Sequence, residues 1–216
     1  MNGRSHEGDA QSLGLLQLQG DPQYRRLPAG RCAALVDTAL EDGGALAVRA
    51  RAQWGRDPSA IAAGCGVPVI RSESEAGFGS VIVFADYAVR QRRITLYLPA
   101  ILRLDRLIAQ RGIPLCAGVN ATLPIFLAHE LYHHFDCTRG CAPLSRQHRV
   151  RIFAVGPWSW TSGLSSLAEI AAGAFAQRLL GLPFHPKVLD LLLPHPSPLP
   201  PRAGGEGDVS FGDLRR

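Results

Sequence analysis

Residues 128–136 read Ala-His-Glu-Leu-Tyr-His-His-Phe-Asp. Within them, His129-Glu130-Leu131-Tyr132-His133 sets two histidines four apart, with a glutamate directly after the first. On an α-helix, positions i and i+4 share a face about 5–6 Å apart, so two imidazoles there can grip one ion. The glutamate at i+1 points into the neighbouring groove, where it reaches a water on that ion rather than the ion itself. Zinc suits such a site, because it takes histidine nitrogens, leaves a position for water and lowers that water's pKa to about 7. The spacing therefore predicts one Zn2+ per chain, with His129 and His133 as ligands and Glu130 as general base. The plainer alternative is a polar surface helix with incidental histidines. Against it, Leu127, Leu131 and Phe135 recur at four-residue spacing and form an opposing apolar stripe.

A catalytic zinc usually has three protein ligands. After the motif and before Pro194, the acidic residues outside the motif helix are Glu169 and Asp190. Glu169 sits in an apolar, small-residue stretch with Ala168, Ala171, Ala172 and Gly173, which lets that helix come close to the motif helix. A lone carboxylate on an apolar helix needs a partner, and a metal supplies one. Glu169 is thus the expected third ligand, the alternative being a surface glutamate at the edge of the apolar face.

Working outward, apolar residues from Cys32 to Leu40 recur with helical spacing, and Gly43-Gly44 is expected to stop that helix. A second helix is expected over 45–54. Asp57-Pro58 has the signature of an N-cap followed by proline at the first helical position, opening a short helix to about Gly64. Segments 67–71, 79–85 and 93–98 are short and rich in β-branched or aromatic residues, as strands are. Helices follow from Pro99 to Gly112, from a Thr122 N-cap to Cys137, and from about Gly163 to Leu180, with Gly181 as the terminating residue. Residues 143–160 read as irregular, with one possible strand ending at Val155. Residues 1–27 show no periodicity and are expected to be a loosely ordered N-terminal segment, leaving 28–193 as the domain. The Pro/Gly-rich stretch 194–216 cannot bury enough apolar surface to order itself and is expected to be a disordered tail.

Two stretches together carry a family resemblance. Ala128-His129-Glu130-Leu131-Tyr132-His133-His134, followed by 169–183 with Glu169 at its head, resembles the ImmA/IrrE-type zinc metallopeptidases. Residues 61–69 are similar to the short helix and first strand of that family. The resemblance spans about 45–183 and is strong only in the two motif helices. It implies an α+β, zincin-like domain: a small β-sheet packed on helices, with the HExxH helix lining a cleft. It also implies hydrolysis of a peptide bond, in a specific regulatory protein of the cytoplasm rather than in general digestion. Tyr132 stands where the family has glycine, and the stretches before the motif and from His133 to Glu169 are longer than usual.

Neighbouring residues admit several readings. Cys137 and Cys141 continue the four-residue ladder of His129 and His133, which raises a closed structural zinc site or a redox pair. Tyr132 can donate to a developing oxyanion or pack in the core. His134 points about 100° round the helix and is expected to support the ligands or face solvent. Trp158 and Trp160 can wall the substrate cleft or simply pack. His185 is expected to lie beside poorly ordered chain.

The 216 residues are 46% hydrophobic and 19% charged, enough for one core. No basic-then-apolar leader opens the sequence and five cysteines make an odd number, so a cytoplasmic location is expected rather than a disulfide framework. The net charge is +5 and Lys187 is the only lysine. The arginines are scattered along the chain, and no nucleic-acid module is recognised. The expected partner is a protein or peptide substrate, with no membrane and no nucleic acid as direct ligand. A non-hydrolytic zinc-binding regulatory or protein-interaction module is the alternative, which an intact Glu130 disfavours.

Overall fold

The computed structural model describes residues 3–78, 81–113, 121–156 and 158–192. The tail expected over 194–216 lies outside them. The architecture is mixed α+β, with small sheets packed on helices. No helix among the described residues is long and apolar enough to cross a membrane.

Residues expected to be loose at the N-terminus form a helix instead, α1 (Gly3–Gln19). It is held from outside: Leu18 is fully buried, and a side chain at Gly14 would press on Val36 at 2.6 Å. Directly after it, Asp21 is buried and accepts a 3.0 Å hydrogen bond from the Ser166 amide. That amide belongs to α7 (Ser165–Leu180), whose own N-cap residue, Leu164, offers no side-chain acceptor. Asp21 therefore caps a helix that lies 145 positions away in sequence.

The next difference is at the glycine pair. One helix, α2 (Cys32–Trp54), runs straight through Gly43-Gly44. Mid-helix glycine costs about 1 kcal/mol against alanine, so a reason is needed. It lies in α7: a Cβ on Gly43 would run into the Ala171 carbonyl, whereas one on Gly44 would meet nothing within 4 Å. Gly43 is there so that two backbones can touch.

The short helix α3 (Pro58–Gly64) forms as expected, with Asp57 accepting from the Ser59 amide at 2.9 Å. Strands β1 (Val69–Ser72), β2 (Ala76–Phe78), β3 (Val81–Val83), β4 (Ala85–Ala88) and β5 (Arg93–Tyr97) follow. Ile94 and Leu96 are fully buried on β5, alternating with half-exposed residues. β5 is the centre of a three-stranded sheet, parallel to β1 and antiparallel to β4, while β2 and β3 form a separate hairpin. After α4 (Leu98–Gln110) comes α5 (Leu123–Thr138), which carries the motif. Thr122 stands at its start, although its side chain makes no cap bond. The short helix α6 (Leu144–Gln147) leads into a ribbon of β6 (Arg149–Val155) and β7 (Trp158–Gly163), where an irregular region with one strand was expected. Helix α7 ends at Gly181, left-handed at φ 68°, as the sequence predicts. α8 (Val188–Leu192) follows. α7 packs against both α2 and α5, and α5 also meets β4 and β5. That seam of α5 and α7 is where the motif residues converge.

Candidate metal centre

Helix α5 is buried on more sides than one apolar stripe provides: Leu127, Ala128, Glu130, Leu131, Tyr132, His134 and Asp136 are all enclosed. The side chains of His129 and His133 keep 24% and 20% of their surface, and Glu169 of α7 keeps 46%. His129 Nε2 lies 3.1 Å from Glu169 Oε2, and His133 Nε2 lies 3.3 Å from Glu169 Oε1. Among the described residues these three form the one group of potential metal donors, with all their donor atoms within 4.8 Å of one another.

Two helices produce this geometry. The four-residue spacing stacks the imidazoles, with ring centroids 5.1 Å apart. Close packing of α7 on α5 brings Glu169 up against them. Four donors about 2.05 Å from an ion at tetrahedral angles lie about 3.3 Å apart, close to the two separations here. Two imidazole nitrogens and one carboxylate are also a donor set that zinc accepts with a position left open. The residues fit the ion.

The electrostatics favour positive charge at the same point. Burial pushes the Glu169 carboxyl up, but hydrogen bonds and charge from His129 and His133 outweigh it and hold the group far below the usual carboxylate range. Burial lowers the His129 pKa, and the bond to Glu169 reverses this, raising it to about 9. A shared proton or a metal cation satisfies such a site, and a cation must displace the proton to bind.

Glu130 is buried, and no hydrogen bond or ion pair holds it among the described residues. Burial raises its proton affinity, the two histidines pull it back, and Glu169 and Asp86 push it up again. Asp86 lies on β4 and accepts a 2.6 Å hydrogen bond from Tyr97 on β5. The sequence offered no signal for it, since it reaches the seam only through strand pairing.

Compared with known proteins, the chain matches no family model, no curated protein and no solved structure.

Other expected site residues lie elsewhere. Tyr132 is not an oxyanion donor: it is fully buried, packs on Phe175 and donates to Asp42 Oδ2 at 2.8 Å. Burial first, then the negative charge of Asp136 and Asp42, drives its pKa far upward. The helix's i+3 position faces α2 here, because Asp42 and Arg139 close a network beneath it, with Arg139 bridging Asp42 and Asp136. His134 neither supports the ligands nor faces solvent. It is 4% exposed and its Nδ1 lies 3.0 Å from the Tyr87 hydroxyl, with burial lowering its pKa. Cys137 and Cys141 are exposed free thiols that do not join the donor group: the helix carries Cys137 away along its axis, and Cys141 lies beyond the helix end.

His185 overturns its expectation as well. It is 3% exposed, its Nδ1 accepts from the Lys187 amide, and it packs on Gly173, one turn beyond Glu169. A Cβ at Gly173 would meet the imidazole at 2.5 Å, so the glycine makes room for the ring. Burial lowers the His185 pKa to about 4, helped by His129 and Lys187.

Proposed function

We propose that the chain is a zinc-dependent metallopeptidase of the ImmA/IrrE kind, with a zincin-like fold, cleaving a peptide bond in a specific cytoplasmic regulatory protein. One observation carries this reading: His129, His133 and Glu169, from two separate helices, converge at separations that suit a single ion. The unpartnered carboxylate of Glu130, next to that point, supports a hydrolytic role over a purely structural site.

In this reading His129 and His133 bind through Nε2 and Glu169 through a carboxylate oxygen. A zinc ion held there supplies a Lewis acid and an acidified water. Glu130 takes up a proton at a carboxylate oxygen during attack and delivers it to the leaving amine. Its burial suits the task, since a desolvated carboxylate holds a proton more readily than an exposed one. The Asp42–Arg139–Asp136 network fixes α5 from behind, so the ligand pair is presented on a rigid helix.

The test is metal content followed by activity. About one zinc per chain is expected in the natural protein and in the Cys137→Ser/Cys141→Ser double variant, and none in Glu169→Ala. Glu130→Gln is expected to keep zinc and lose about 10²–10⁴-fold in cleavage of a peptide library. Zinc retained by Glu169→Ala, or lost by the cysteine variant, overturns the ligand set. Zinc with full activity in Glu130→Gln overturns the mechanism. Zinc with no cleavage by any form favours the non-hydrolytic regulatory module.

A further inference from the structure

The arginines that are scattered along the sequence do not stay scattered. Arg26 and Arg31 precede α2, and Arg149 and Arg151 lie on β6, yet all four line one cavity of about 340 Å³ together with His148. Among the described residues no carboxylate lines it, and none of the four arginines is paired with one. Two of the guanidinium groups are held in place: Arg26 donates to the Ile152 carbonyl at 2.7 Å, and Arg149 to Thr161 Oγ1 at 2.7 Å. Like charges gathered without counter-charge repel one another, so such a cavity is matched to an anion.

The same ribbon carries the largest exposed rings among the described residues. Trp158 is 72% exposed, Trp160 58% and Phe153 49%, and Phe153 stacks on Trp160 with centroids 5.0 Å apart. Along the ladder, Arg151 pairs with Thr161, and the next rung pairs Phe153 with Trp160 across a bulge. Thr161 and Trp160 are consecutive on β7, so the arginines and the rings occupy opposite faces of a two-stranded ribbon.

We infer that this ribbon and its cavity bind single-stranded nucleic acid, with phosphates in the arginine cavity and unstacked bases on Trp158 and the Phe153–Trp160 pair. Phosphate charge and flat bases together are what basic grooves interleaved with aromatic platforms recognise. Ligand flexibility selects among the polyanions. Charge and rings are separated by the thickness of one ribbon, and a flexible strand bends round its edge to reach both. A stiff duplex keeps its bases stacked away from the rings, a bilayer meets one face, and an acidic polypeptide leaves the rings without a matching π-surface.

The experiment titrates the full chain with a labelled oligothymidylate of about 20 nucleotides at low salt, following quenching of tryptophan fluorescence. Saturable quenching is expected, with the matching duplex, phosphatidylglycerol vesicles and polyglutamate each at least about 10-fold weaker. Trp158→Ala/Trp160→Ala, followed by the label's anisotropy, is expected to weaken binding about 10-fold or more. Arg31→Ala/Arg151→Ala is expected to reduce the slope of log affinity against log salt by about 1.4. Thermal melts check that both variants stay folded, and His129→Ala is expected to bind the oligonucleotide like the natural chain, which separates this site from the metal centre. Absence of binding overturns the inference. So does binding of vesicles or polyglutamate as tight as that of the oligonucleotide, or affinity that neither pair of substitutions changes.

Discussion

The α5–α7 seam and the β6–β7 ribbon are built on opposite terms. In the seam, Leu131, Tyr132, Ile170, Ala171, Ala172 and Phe175 are fully buried, and apart from Glu130 the polar groups at the site meet one another: His129 and His133 on Glu169, Tyr132 and Arg139 on Asp42. In the ribbon, Phe153, Trp158 and Trp160 stand in solvent, and among the described residues no carboxylate answers the arginines. Stability and chemistry share the same residues in the seam, so a substitution there disturbs both. In the ribbon they are separable, and a side chain can be removed with little effect on the fold.

The sharpest test of that contrast is Phe175→Ala. Phe175 is fully buried between Tyr132 and Phe135, so its loss is expected to cost about 3–5 kcal/mol in denaturant unfolding. A cost below about 1 kcal/mol would mean that the seam is not tightly packed.

Acid comes next. The folded pKa of His185 is depressed from 6.5 to about 4, so between these values the unfolded chain binds more protons than the folded one. Stability is expected to fall as pH drops through that window, by up to about 3 kcal/mol from this group, and to level off below it. The His185→Gln variant is expected to lack this part of the acid sensitivity, which comparison of melts across pH would reveal.

The glycine pair gives an effect of opposite sign at adjacent positions. Gly43→Ala is expected to destabilise by about 1–3 kcal/mol, because its methyl meets the Ala171 backbone. Gly44→Ala faces open space and is expected to stabilise by up to about 1 kcal/mol. Equal effects at both would show that helix propensity, not contact with α7, governs the pair.

Smallest of all, Trp158→Ala is expected to change stability by no more than about 0.5 kcal/mol, despite deleting the largest kind of side chain. A large loss there would make the ribbon part of the core and dissolve the contrast.

Features set by neighbours in sequence were legible beforehand. Asp57-Pro58 opens a helix because the capping carboxylate and the fixed proline φ act within a single turn. Gly181 ends one because left-handed backbone favours glycine there. His129 and His133 could be paired because helical geometry alone stacks them. Glu169 was legible for a different reason: a carboxylate among alanines has to be neutralised by something. What misled was residue character detached from its partner. Gly43-Gly44 has the pattern of a stop until the α7 backbone lies against it. Asp21 has nothing around it in sequence to mark it as the cap of α7. His185, next to Pro186 and near a proline-rich stretch, gives no sign that Gly173 leaves room for its ring.

The sequence by itself determined the helix that presents two imidazoles and a glutamate, and the helix whose lone carboxylate must find them. Periodicity and desolvation act locally, and both can be read from residue order. Tertiary structure alone decided what those helices meet. Asp42 takes the Tyr132 hydroxyl, Tyr87 takes His134, and strand pairing brings Asp86 within electrostatic reach of Glu130. Four arginines as far apart as Arg26 and Arg151 close on one cavity. Such contacts depend on which surfaces the folded chain brings together, and electrostatic or steric complementarity between distant residues leaves no periodic trace in either segment.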